Sequence, residues 1–194
     1  MAGDKEQYGF GIEGFENAAI RKIWFRFNLV KKEIPMRKID SLLSEYGESH
    51  QNATNKLIHW ICVPLIFFSL MGLVASIPAG ILQSALGEGS IYANWAAVIL
   101  ALALIYYITL SIPLTVGMLL FALFCLFVIN RIVLANIAPL WAISLGIFVA
   151  AWIGQFYGHK VEGKKPSFFK DVQFLLIGPA WLMHFIYKKI GIPY

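Results

Sequence analysis

Apolar positions dominate the chain from residue 57 onward, and the lengths of their runs decide what they can build. Residues 57–77, 92–112, 114–130 and 136–157 are nearly unbroken apolar stretches. Each comes close to the roughly 17–25 residues a helix needs to cross a hydrocarbon core. Lipid offers no partner to an unpaired backbone amide, so each stretch is predicted to be helical. A fifth run, 174–187, is only about 14 residues long and contains Gly178-Pro179, which suits a re-entrant or interfacial helix better than a crossing.

Ahead of these runs the pattern is amphipathic. Residues 1–17 read as a Gly-rich, acidic arm. Over 18–34, Ile20, Ile23, Trp24, Phe27 and Val30 recur at helical spacing among Arg21, Lys22, Arg26, Lys31 and Lys32, as in a helix lying on a membrane surface. Pro35 ends it. A second amphipathic stretch, 36–48, puts Ile39, Leu42, Leu43 and Tyr46 on one side. The polar string Ser49 to Asn55 follows, with Thr54 or Asn55 expected to cap the first long helix. The predicted fold class is therefore all-α. It is a polytopic membrane bundle of about four transmembrane helices, with amphipathic interfacial helices and a short C-terminal helix. Residues 1–35 form an arm and basic segment, and 36–194 a single membrane-embedded domain.

Composition agrees: 59% of residues are apolar and 14% charged, where a soluble domain carries about 25% charged. Nine of the sixteen Lys and Arg lie from Lys5 to Lys56, six lie from Lys160 to Lys189, and only Arg131 falls between. Four crossings put both ends on one side, and the positive-inside rule makes that side the cytoplasm. The membrane is expected to be the endoplasmic reticulum in a eukaryote or the inner membrane in a bacterium. The first 35 residues hold no apolar leader, so the first membrane helix is expected to act as the insertion signal.

Several function classes lack their parts. No interleaving of Lys or Arg with aromatics suggests a nucleic-acid partner. There is no Gly-rich phosphate loop and no GxSxG elbow. The runs contain no row of carboxylates for a proton or ion path. Cys62 and Cys125 read as small packing residues, Tyr106 and Tyr107 as packing or interface anchors. Trp60, Trp95, Trp141, Trp152 and Trp181 read as an aromatic belt.

Candidate chemistry concentrates in the four histidines, His50, His59, His159 and His184. All four fall at or near ends of apolar runs that four crossings bring to one membrane face. Nine residues at 100° each put His50 and His59 about 180° apart on one continuous helix, so they meet only if the chain breaks between them. Asn52 to Asn55 supplies such a break. Gln155, His159 and Glu162 share one helical face, which Gly163 and Pro166 end. Imidazoles bind iron, zinc or copper, and a nearby carboxylate or amide commonly orients them. The alternative is a set of hydrogen-bonded interface histidines; the spacing by itself matches no metal motif.

The run from His50 to Pro64, HQNATNKLIHWICVP, resembles the opening signature of a small membrane family whose yeast member is the 2-hydroxy-fatty-acid dioxygenase of phytosphingosine breakdown. Gln155 to Pro166, QFYGHKVEGKKP, resembles its second signature, and Leu175 to Trp181, LLIGPAW, its C-terminal one. The resemblance covers roughly 36–190. It implies an Fe2+-dependent dioxygenase that uses O2 to convert a 2-hydroxy fatty acid into an acid one carbon shorter plus CO2, among membrane lipids. It implies His50, His59 and His159 as iron ligands, with Glu162 ligating or orienting His159. Asn55 and Gln155 would support the ligands, and His184 is a fourth candidate ligand outside the matched motifs. Lys56, Lys160, Lys164 and Lys165 read either as solvated lysines or as cations that attract the substrate carboxylate. The competing readings are a histidine-ligated haem protein, a zinc lipid hydrolase and a non-enzymatic membrane scaffold.

Overall fold

A computed structural model describes residues 36–88, 90, 92–163 and 174–194, together with Lys22. The predicted arm, the basic stretch 18–34 apart from Lys22, and Lys164, Lys165 and Pro166 lie outside the described residues. The chain divides into two compact units, Met1–Arg37 and Lys38–Tyr194. The seven helices named here belong to the second.

Helix α1, Lys38–Glu48, buries Ile39, Leu43 and Tyr46, the apolar side that helical spacing predicts. Helix α2, Ala53–Ala75, starts at Asn52, whose side chain accepts from the Thr54 and Asn55 amides. The cap thus sits two or three residues earlier than expected, because Asn52 holds the extended backbone of a cap (φ −67°, ψ 133°) while Thr54 and Asn55 are already in the first turn. Helix α3, Gly80–Leu86, is a short helix in the connection between the first two apolar runs. Helix α4, Trp95–Ile108, is capped by Asn94, and α5, Ile112–Ala135, by Ser111. Helix α6, Leu140–Glu162, ends at Gly163, whose φ of 73° lies in the left-handed region. Helix α7 is Ile177–Ile190.

Three of these, α2, α5 and α6, are long and apolar enough to cross a membrane, and α4 is apolar but only 14 residues long. At 1.5 Å per residue α4 spans about 21 Å, short of a hydrocarbon core of roughly 30 Å. Its predicted run, 92–112, shrinks because Asn94 starts the helix late and the chain leaves it at Thr109. The run 114–130 grows instead, to Ile112–Ala135, which carries Arg131 inside the helix.

The chain nevertheless passes four times between two ends. Tyr107, near the end of α4, hydrogen-bonds the Leu176 carbonyl just before α7. Tyr187 donates to the Pro113 carbonyl at the start of α5, at 2.7 Å. These ties set α7 against the turn between α4 and α5, and Glu162 at the end of α6 accepts from the Gln51 and Asn52 amides at the start of α2; the ends so joined carry Lys56, Lys160, Lys188 and Lys189. At the other end Trp95 Nε1 donates to the Pro78 carbonyl at 3.1 Å, and Ala75, Asn94, Val133 and Leu140 surround one shallow cavity.

Outward faces are apolar throughout: Leu102, Leu120, Phe124 and Ile153 are each more than 60% exposed. A surface of this kind is stable only against lipid. Inside, small residues let α2 and α6 approach closely. A Cβ on Gly154 would meet Cys62 Sγ at 2.6 Å, and one on Gly158 would collide with Asn55 Oδ1. These two glycines, four apart, form the small-xxx-small seam that brings membrane helices together.

Candidate metal centre

The break that separates α1 from α2 is where the site begins. Helix α1 ends at Glu48, and the turn that follows is closed by the His50 amide donating to the Gly47 carbonyl at 3.0 Å. That turn folds the His50 ring back over α1. Its Nδ1 donates to the Tyr46 carbonyl at 2.6 Å, and the ring stacks on Tyr46 with centroids 4.3 Å apart and planes 16° from parallel. His59 lies two turns into α2, and its Nδ1 donates to the Asn55 carbonyl at 2.9 Å. A carbonyl can only accept, so in both rings Nδ1 carries a proton, and in the neutral ring Nε2 then carries the lone pair.

His159, from the last turn of α6, completes the group. Ring centroids are 4.1 Å apart for His50 and His59, 5.2 Å for His59 and His159, and 5.9 Å for His50 and His159. One ligand atom from each of the three lies within 4.8 Å of the others. All three are buried, at 2%, 1% and 4% exposure. Among the described residues they are the one such group of metal-ligating side chains.

Glu162 does not join them. Its carboxylate accepts from the Gln51 and Asn52 amides at 2.8 and 2.9 Å and from Asn55 Nδ2 at 2.9 Å. The expectation that it orients His159 gives way to a different geometry. The last residue of α6 reaches across to the N-terminus of α2, where unpaired amides and the helix dipole favour an anion. Asn55, fully buried, passes the link on, since Nδ2 also donates to the Ser49 carbonyl at 3.2 Å. Glu162 and Asn55 thereby fasten the stretch bearing His50, the helix bearing His59 and the helix bearing His159. Gln155, one turn before His159, is buried beside the His59 ring.

His184 also stands apart. It hydrogen-bonds the Tyr194 hydroxyl and packs edge-on against Phe185. Burial, reinforced by the nearby Lys188 and opposed by Asp40, holds its imidazole below the ordinary range. Trp181 is the residue that sequence reasoning misassigned. It is 4% exposed and belongs to the core, tilted against the His50 ring at 5.3 Å and edge-on to Tyr46 at 5.4 Å. Its place four residues into a short helix, beside Gly178-Pro179, was the available signal.

Tyr46, His59, Val63, Trp152, Gln155 and Phe174 line a cavity of about 30 Å³. That admits a water-sized or diatomic molecule and no acyl chain. The arrangement can hold one cation on three neutral ligands, within an aromatic jacket that keeps bulk water out.

Residues 36–190 match the model of a family described as 2-hydroxy-palmitic acid dioxygenase Mpo1-like. The chain is 33% identical over 155 residues to the 2-hydroxy-palmitic acid dioxygenase MPO1 of Saccharomyces cerevisiae, covering 78% of this chain and 80% of the yeast protein. No solved structure matches it. The matched region takes in the break before α2, both helices of the glycine seam and all three clustered histidines, and the chain belongs to the Mpo1-like family.

Proposed function

We propose that this protein is an iron(II)-dependent dioxygenase that shortens 2-hydroxy fatty acids by one carbon. The observation that carries this reading is the buried triad of His50, His59 and His159, with ligand atoms within 4.8 Å of one another. The donor set fits the ion. Two rings have Nδ1 committed to carbonyls, an arrangement that fixes the tautomer and orientation of a ligating imidazole. Three neutral nitrogens leave open coordination positions and an uncompensated positive charge, and an anionic chelating substrate suits both. Bound there, iron would supply the one-electron chemistry that lets O2 react with a closed-shell acid. A porphyrin does not fit: it needs several hundred Å³, against about 30 Å³ beside His59.

The reaction balances with O2 as the oxidant. A 2-hydroxy acid and O2 yield the shorter acid, CO2 and water. The bond between C1 and C2 breaks, C1 leaves as CO2, and C2 becomes the new carboxyl carbon. Tyr46, Trp181 and Phe174 exclude water from the reacting carbons. The Glu162–Asn55 link keeps the three imidazoles in register. Residues 36–194 form the domain that does this work, with the basic end and both termini on the cytoplasmic side.

Metal analysis of anaerobically purified protein, followed by 2-hydroxypalmitate and air, tests the reading. The expected result is bound iron, O2 consumption, CO2 and pentadecanoate. His59→Ala and His159→Ala are each expected to lose the iron while the protein still inserts and purifies. Zinc in the purified protein with turnover that persists without O2, or full iron occupancy in either variant, would refute it.

A further inference from the structure

The metal centre is too enclosed to receive its substrate as it stands. A long acyl chain needs a second surface, and the small cavity beside His59 does not provide one. A groove of about 580 Å³ runs between the first turns of α2 and the last turns of α7. Its volume lies in the range of sites that take drug-sized ligands, about 300–1,000 Å³. Lys56, Lys188 and Lys189 bound it, Trp60, Phe185 and Ile190 supply its apolar surface, and no acidic side chain among the described residues lines it. Cations at the rim and apolar walls within match a molecule with one anionic end and a long apolar body.

The groove also adjoins the histidines. Lys56 and Trp60 flank His59 on α2, three residues before it and one after. The Trp60 ring lies 6.3 Å from Phe185, Phe185 lies 4.6 Å from Trp181, and Trp181 lies 5.3 Å from His50. The Phe185 and Trp181 rings stand along this line between the groove and the triad.

We infer that this groove is where the 2-hydroxy acid docks, its carboxylate held by Lys56, Lys188 and Lys189 and its chain laid on Trp60, Phe185 and Ile190. The inference rests on the dioxygenase reading for the identity of the occupant. Phe185 and Trp181 form the partition that the head group must displace to reach the imidazoles.

A binding measurement separates the two ideas. Full-length protein in uncharged lipid, kept anaerobic, is titrated with 9,10-dibromo-2-hydroxystearate, whose bromines quench nearby tryptophan. Saturable quenching is expected, and Trp60→Phe is expected to remove most of it. The triple variant Lys56→Gln, Lys188→Gln, Lys189→Gln is expected to weaken binding by about 10-fold, as the loss of three exposed charge contacts implies, with its iron content unchanged. In aerobic assays the same variant is expected to raise KM for 2-hydroxypalmitate. Unchanged quenching in Trp60→Phe, or unchanged affinity in the triple variant, overturns the docking site. So does an equal affinity for the methyl ester combined with displacement by phosphatidylglycerol, which would mark a phospholipid seat. Groove binding without any turnover sinks the dioxygenase and leaves the docking site standing; turnover with an unaltered KM in the triple variant does the reverse.

Discussion

Glu162 shows how far a single side chain can act from where its sequence position suggests. Three residues from His159 on one helix, it reads as a partner of that ring. Its carboxylate instead accepts three hydrogen bonds from Gln51, Asn52 and Asn55 across the α2 entrance. Glu162→Gln replaces one acceptor oxygen by a donor facing donors, and its stability cost is expected to be about 1–2 kcal/mol. For a chain of this size that lowers the thermal midpoint by about 2–4 °C per kcal/mol, measurable by differential scanning fluorimetry in detergent. Iron affinity should fall with it, because the link holds all three histidine-bearing stretches; an unaltered midpoint and affinity would remove the clamp. The histidines themselves were legible because there are only four in the chain and the others of their surroundings are apolar. Which three meet came from the family resemblance and not from spacing, since His184 shares the same end and its engagement with Tyr194 is a contact ten residues on that no spacing rule predicts.

At the level of helices, the glycine seam decides whether the centre exists. Gly158 faces Asn55 and precedes His159, so an added methyl pushes α6 off α2 where the ligands are mounted. Gly158→Ala is expected to cost about 1–3 kcal/mol, the range for overpacking a closed contact, and to reduce bound iron. Gly146→Ala on the same helix meets nothing within 4 Å and is expected to leave melting and iron content unchanged. Equal behaviour of the two variants would show that helix propensity, not proximity, sets the effect. The long apolar helices α2, α5 and α6 could be read from run length alone. The ends of α4 and the presence of α3 could not, because both depend on how the 76–94 connection folds back to bury Ala79 and Ala93. Periodicity does not carry that information.

The unit Lys38–Tyr194 is polarised between its two ends. Lysines and imidazoles gather at one end, and Arg131 is the one Lys or Arg toward the other among the described residues of the spanning helices. If this axis stands across the membrane as proposed, Glu45→Cys and Gln83→Cys, both at exposed positions, are expected to react with an impermeant maleimide from opposite faces of sealed vesicles. Labelling from one face would mean that α2 does not cross. The order in which ligands occur along this axis also constrains how the protein is made. His59 and His159 are 100 positions apart, and α4 and α5 occupy the interval. A ribosome has released two histidines long before the third emerges, and that third ring reaches the others only after α4 and α5 have been made. If the triad holds a metal as proposed, a nascent chain stalled before α6 carries only two of the three ligands.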